Sequence, residues 1–256
     1  MIDTFLETIT SSLSIPAPPH LFTVWDECEK LDDEKASTFH TITAKGLFAC
    51  KRARGDIQTA IAFLTTRVLE PDLDDWKKLK RLIQYLYGTK DMILTLSADN
   101  MSIFKWYIDA AHTVHPDMKG HTGAVLIMGT GSIYNTSIKQ KINTRSSTES
   151  ELVGVDDVIP QVLWTRYFIQ SQGYTNTDTV VYQDNKSAIL LEKNGKLSSS
   201  KRTKHIQCRY FFIKDCIERE ILSVEHCPTD DMVADYFTKP LQGMKFFKFR
   251  KMIMNL

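Results

Sequence analysis

The stretch Ile103-Phe104-Lys105-Trp106-Tyr107-Ile108-Asp109 decides how this chain is read. Its aromatic and β-branched residues predict a strand, and the run ends on a carboxylate. Downstream, Asp178 to Gln183 repeats the arrangement: a buried-type strand that ends on Asp184. Between them, His121–Met128 and Ser132–Ile138 predict two short strands, with Gly129-Thr130-Gly131 as a hairpin signal. Ser147-Thr148 opens a helix that should run to about Gln170, with Val155, Ile159, Val162 and Leu163 near one face. Pro160 should kink that helix or end its first half. A short helix over Asn185–Leu191 follows Asp184, and a second carries Ile206, Tyr210, Ile213 and Ile217. A strand over Ile221–His226, a turn at Pro228 and a helix through Asp235 complete the series. This order predicts an α/β fold: a mixed five-stranded sheet flanked by helices.

Working outward, residues 39–100 read as a small helical segment. Ile57, Ile61, Leu64 and Val68 recur at intervals of three and four, followed by Trp76, Leu79, Leu82, Ile83 and Leu86. Asp74 and Asp75 are placed to cap the second helix and Gly88 to end it. Residues 1–38 read as an irregular acidic lead-in, with eight acids against two lysines and prolines at 16, 18 and 19. The expected organisation is therefore 1–38 lead-in, 39–100 helices, 101–242 sheet domain and 243–256 a basic tail helix.

With 32 Lys and Arg against 31 Asp and Glu, the net charge of +1 hides an uneven distribution. Residues 193–211 carry Lys193, Lys196, Lys201, Arg202, Lys204 and Arg209 with no acid. Such a block suits a polyanion, or else a solvated loop. No apolar run approaches the ~20 residues that span a bilayer, and no secretory signal is visible, so no membrane partner is expected. The five cysteines, at 28, 50, 208, 216 and 227, are scattered as reduced core thiols would be. His112, His115 and His121 lack a zinc spacing with any cysteine, and His226 reads as a strand-end residue.

The acids carry the chemistry. Asp109 and Asp184 stand at strand ends, where side chains distant in sequence converge. Glu151 in the first turn of the long helix and Asp235 in the final helix can supply further oxygens. Hard oxygen donors suit Mg²⁺, and in-line phosphodiester cleavage is served by two such ions about 3.5–4 Å apart. Taken singly, each acid has a plainer reading as a turn residue or a helix-start charge. Asp-Asp pairs occur at 32–33, 74–75, 156–157 and 230–231, none on a hairpin between apolar strands, so a complete polymerase is excluded.

Several stretches then become specific. They are Trp106-Tyr107-Ile108-Asp109-Ala110, Gly120-His121-Thr122-Gly123-Ala124, Lys139-Gln140-Lys141 and Ser146-Ser147-Thr148-Glu149-Ser150-Glu151-Leu152. Tyr182-Gln183-Asp184-Asn185, Lys204-His205-Ile206, Pro228-Thr229, Ala234-Asp235 and Thr238-Lys239-Pro240 continue the series. Together they resemble the RNase H domain of copia-type retrotransposon polyproteins, with wording similar to copia-like elements of diatoms. Upstream, Lys51-Arg52-Ala53-Arg54 with Asp56-Ile57, and Trp76 to Thr89, resemble the C-terminal end of the same family's reverse transcriptase. The family's usual proline after Lys-Arg-Ala-Arg is Gly55 here. The resemblance implies an RNase H-like fold and an endonuclease that cuts the RNA strand of RNA–DNA hybrids. It also implies two Mg²⁺ ions, replaceable by Mn²⁺, held by Asp109, Glu151, Asp184 and Asp235. Glu149 competes with Glu151 for the second position and otherwise serves as a cap. The upstream reverse transcriptase is the implied protein partner, and a cytoplasmic virus-like particle or the nucleus the implied location.

Hybrid recognition should lean on phosphates and 2′-hydroxyls. Ser199, Lys201, Arg202 and Lys204 are expected at phosphates, and Gln183 and Asn185, which flank Asp184, at 2′-hydroxyls. His205 reads equally as a phosphate contact or a helix-start hydrogen bond. Two rivals stand beside this reading. An integrase-like nuclease would use Asp109, Asp184 and Glu218 or Glu220, but leaves Glu151 and Asp235 without a role. A catalytically silent element fragment or hybrid-binding module would keep the acids without using them.

Overall fold

The computed structural model describes residues 1–98, 102–174, 178–195 and 207–256. They form two compact units, one of Met1–Thr95 with Lys239–Leu256, the other of Leu96–Thr238. The expected boundaries fall after residues 38, 100 and 242, and the two compact units divide after 95 and 238.

In the first unit, α1 (Asp33–Cys50) starts where Asp32 accepts a hydrogen bond from the Lys35 N–H at 2.8 Å. After a short 3₁₀ turn come α2 (Gln58–Thr65) and α3 (Leu73–Gly88). The cap of α3 is Asp72, which accepts from the Asp74 and Asp75 N–H groups, while Asp75 reaches back to the Asp72 N–H. Arg67 clamps both acids, at 3.1 Å to Asp72 and 2.8 Å to Asp75. The Lys-Arg-Ala-Arg segment has a structural use: Arg54 forks onto buried Asp56 at 2.9 and 2.8 Å, and Tyr85 donates to the same carboxylate at 2.6 Å. The basic tail is a helix, Gly243–Met254, that buries Phe246, Phe249 and Ile253 within this unit.

In the second unit, β1 (Ser97–Ala98) pairs with β4 (Gly129–Thr130) in a small ribbon. The main sheet uses β2 (Ile103–Ala111), β3 (His121–Ile127), β5 (Tyr134–Lys139), β6 (Asp178–Gln183) and β7 (Ser223–His226), in the order β5-β3-β2-β6-β7. The pairs β2–β3 and β3–β5 are antiparallel, whereas β2–β6 and β6–β7 are parallel. This is the expected mixed five-stranded sheet with flanking helices. Phe104, Trp106 and Ile108 point to one face, where they meet Val155, Val158, Ile159 and Val162 of α4 (Ser147–Ser171). The parallel crossings are made through α4 and, after β6, through α5 (Lys186–Asn194) and α6 (Gln207–Glu218).

Helix α4 runs through Pro160, so the expected end of its first half at that residue does not occur. Pro160 is exposed, so its ring and the backbone bond it cannot make fall on the solvent side of the helix. The buried valines and isoleucine on either side hold both halves of the helix on the sheet.

Candidate metal centre

Because β2 and β6 are parallel neighbours with Tyr107 opposite Tyr182, the same offset of 75 residues sets Asp109 beside Asp184. The two acids therefore emerge at the same end of adjacent strands. Glu151 reaches them from the second turn of α4. One carboxylate oxygen from each of Asp109, Glu151 and Asp184 lies within 4.8 Å of the others. Asp109 and Glu151 are 1% and 5% exposed, and Asp184 is half-buried, so the cluster opens outward on the Asp184 side. Helix α4 comes this close because of Gly154, three residues past Glu151: a Cβ there would stand 3.2 Å from the Ala110 Cβ. Glu149 is engaged elsewhere, its carboxylate accepting from the Arg145 N–H at 2.8 Å in a capping role. Asp235, the fourth expected acid, is buried at the start of α7 (Asp235–Thr238) and stands outside the 4.8 Å group.

A polar lattice surrounds the cluster. His112 Nδ1 lies 3.1 Å from Thr144 Oγ1 and 3.0 Å from Ser150 Oγ, tying the end of β2 to the first turn of α4. Gln140 donates to Thr122 Oγ1 at 3.1 Å and to the Ser150 carbonyl at 2.9 Å. On the other side, Thr238 donates to Asp109 Oδ2, and Thr229 donates to Asp184 Oδ2 at 3.0 Å. His121 bridges buried His115 at 3.0 Å and Ser137 at 2.7 Å. Burial pushes these two rings down, His115 to about 4 and His121 to about 3.

The expected nucleic-acid contacts fare unevenly. Ser199, Lys201, Arg202, Lys204 and His205 lie outside the described residues. Asn185 caps α5 through Oδ1, accepting from the Ser187 and Ala188 N–H groups at 3.0 and 3.1 Å. Gln183 requires correction. It is fully buried, and its amide, oriented to meet the acid, donates to Glu192 at 2.7 and 3.1 Å, so it is not presented to a hybrid. Burial raises the Glu192 carboxyl well above the ordinary range, opposed by that hydrogen bond. Of the acids in the integrase reading, Glu218 is an exposed partner of Lys214 on α6.

No protein-family model matches the chain. It is 29% identical over 239 residues to the retrovirus-related Pol polyprotein from transposon TNT 1-94 of Nicotiana tabacum, covering 91% of the chain and 18% of that protein. It is 33% identical over 202 residues to the corresponding polyprotein from transposon RE2 of Arabidopsis thaliana, covering 78% of the chain and 14% of that protein. The chain is homologous to transposon Pol polyproteins. It spans less than a fifth of the length of these relatives. Among solved structures it is similar to LC11-RNase H1, isolated from compost, at 15% identity and a TM-score of 0.37, covering 54% of the chain and 93% of that protein.

In this Pol relative the donor set fits a hard divalent cation. Three carboxylates and no thiol or imidazole make up the group, and three like charges packed this closely favour a cation among them. Gly123, Gly154, Thr229 and Thr238 drew no role from sequence. Each lies in or beside a quoted motif, but its use depends on what stands opposite it in the fold.

Proposed function

We propose that the chain is the RNase H-type endonuclease part of a transposon Pol polyprotein, cutting the RNA strand of RNA–DNA hybrids with Mg²⁺ at the acidic cluster. One observation carries the reading: Asp109, Glu151 and Asp184, from two strands and a helix, bring carboxylate oxygens within 4.8 Å of one another at an open sheet end. Similarity to retrovirus-related Pol polyproteins from transposons supports the same class.

Asp109, Glu151 and Asp184 would hold the metal, with Asp235 completing a two-ion site from α7. Bound there, divalent ions supply an activated water and offset charge on the scissile phosphate. The chain's own residues do the remaining work. Asp109, buried and held by the Thr238 hydroxyl, and the buried Glu151 give the centre its floor. Asp184, half-buried, faces the side from which a phosphate backbone can approach. Lys201, Arg202 and Lys204 of the basic block are the proposed cations for that backbone. The upstream reverse transcriptase part of such a polyprotein is the proposed partner, presenting the hybrid it has made.

The test is cleavage of a labelled RNA–DNA hybrid by the full chain in Mg²⁺, beside the Asp184→Asn variant. The amide keeps the shape and removes a ligand charge, so the variant should lose cleavage while retaining its fold. A fully active variant would show that the metal site is elsewhere. Hybrid binding without cleavage by the wild type would favour the silent-module reading.

A further inference from the structure

The segment that leaves β7 crosses the end of the sheet that carries the acids. It is pinned at its start, where the Cys227 N–H donates to the Gln183 carbonyl at 2.8 Å and so prolongs the β6–β7 ladder. Met232, Val233, Ala234 and Phe237 anchor it by burial. Two threonines nine residues apart on this segment each address a different aspartate: Thr229 donates to Asp184 and Thr238 to Asp109. Thr238 is fully buried, and its hydroxyl also lies 3.5 Å from the Asp235 carbonyl. Gly123 stands opposite Asp109 on β3, and a Cβ there would come within 2.6 Å of Thr238 Cγ2 and 2.8 Å of Phe237 Cβ. The glycine is what admits the threonine.

From this placement we infer that Thr229 and Thr238 are positioning residues of the acidic centre, each setting the rotamer of one metal-holding aspartate. A hydroxyl donating to a carboxylate makes a charge-assisted bond that favours the ionised form and fixes its direction. The β-branched side chain restricts the hydroxyl's own torsion, so the bond is directed rather than merely available. Groups that hold a metal-binding carboxylate this way typically carry about 10–100-fold of metal affinity. The buried bond from Thr238, shielded from water, carries more of that effect than the exposed bond from Thr229. Because both donors sit on one segment, its anchoring at Cys227 and Phe237 fixes the directions of the two carboxylates together, on aspartates that the β2–β6 register has already set side by side.

This inference rests on reading Asp109 and Asp184 as metal ligands, and its test separates the two. Mn²⁺ binding to the full chain is measured by titration calorimetry for wild type, Thr238→Val, Thr238→Ser, Thr229→Val and Asp184→Asn, with circular dichroism to follow the fold. The expected result is a loss of Mn²⁺ affinity by about 10–100-fold in Thr238→Val, partial recovery in Thr238→Ser, which keeps the hydroxyl without the branch, and a smaller loss in Thr229→Val. Wild-type affinity in both valine variants, with Asp184→Asn impaired, would overturn the inference and leave the metal centre standing. Equal binding by wild type and Asp184→Asn, or none by wild type, would overturn the metal reading itself. If Thr238→Val does not fold, Thr229→Val, at an exposed site, decides between these outcomes.

Discussion

Lowering the pH from about 7 to about 5.5 should destabilise the sheet unit by about 2–3 kcal/mol through two histidines alone. His115 and His121 are buried against each other, and burial holds both rings neutral, with values pushed down to about 4 and about 3. Lys139 and Lys119 add to the effect at His115, opposed by Asp117. In the unfolded chain both rings titrate near their ordinary value of about 6.5. Below that pH the unfolded state binds protons that the folded state refuses, so stability falls as pH falls and is recovered as pH rises. One unit below the unfolded value each ring costs about 1.4 kcal/mol, and two rings about twice that. Against a typical total of about 5–15 kcal/mol this is readily measured. Urea unfolding followed across that range, for wild type and the double variant His115→Gln/His121→Gln, separates the pair from other titrating groups. The wild-type stability should drop and the double variant's should drop much less. Equal slopes in the two proteins would refute the neutral buried pair.

Glu192 should behave with the opposite sign. Its carboxyl is raised by burial, so the stability it contributes is present below the ordinary carboxyl range and is lost as pH rises toward the folded value. Glu192→Gln should remove that decline in urea unfolding series, whereas Glu192→Ala should cost about 1–3 kcal/mol by leaving the Gln183 amide buried without its acceptor. Gly123→Ala forces a Cβ into Thr238 and Phe237, and overpacking of this kind costs about 1–3 kcal/mol. Its melting temperature and Mn²⁺ affinity should fall together; an unchanged pair would mean that α7 gives way without cost.

The sheet was legible because its strands carry apolar residues of the right shape at the right period, and because its acids stand at strand ends. Trp106 and Ile108 point to the core while Asp109 turns away from it, which alternation alone predicts. The same alternation explains the error at Gln183. It adjoins Asp184 in the chain, but consecutive strand residues face opposite sides, so it turns to the helix layer and Glu192. Pro160 defeated a local rule because packing on both sides of it outweighed one missing backbone bond. The threonine contacts were invisible for a different reason. That of Thr238 depends on Asp109 standing opposite Gly123, and that of Thr229 on the segment after β7 returning past Asp184, neither of which is defined before the sheet assembles. Residues 243–256 read as a basic tail because their charges are frequent, but Phe246, Phe249 and Ile253 share the buried side of the helix.

The most direct measurement of the central claim is anomalous diffraction from crystals of the full chain soaked in Mn²⁺. Two peaks about 3.5–4 Å apart are predicted, bounded by the carboxylates of Asp109, Glu151 and Asp184, with Asp235 drawn toward the second. A single site held by other side chains, or no peak at this cluster at saturating Mn²⁺, would contradict it.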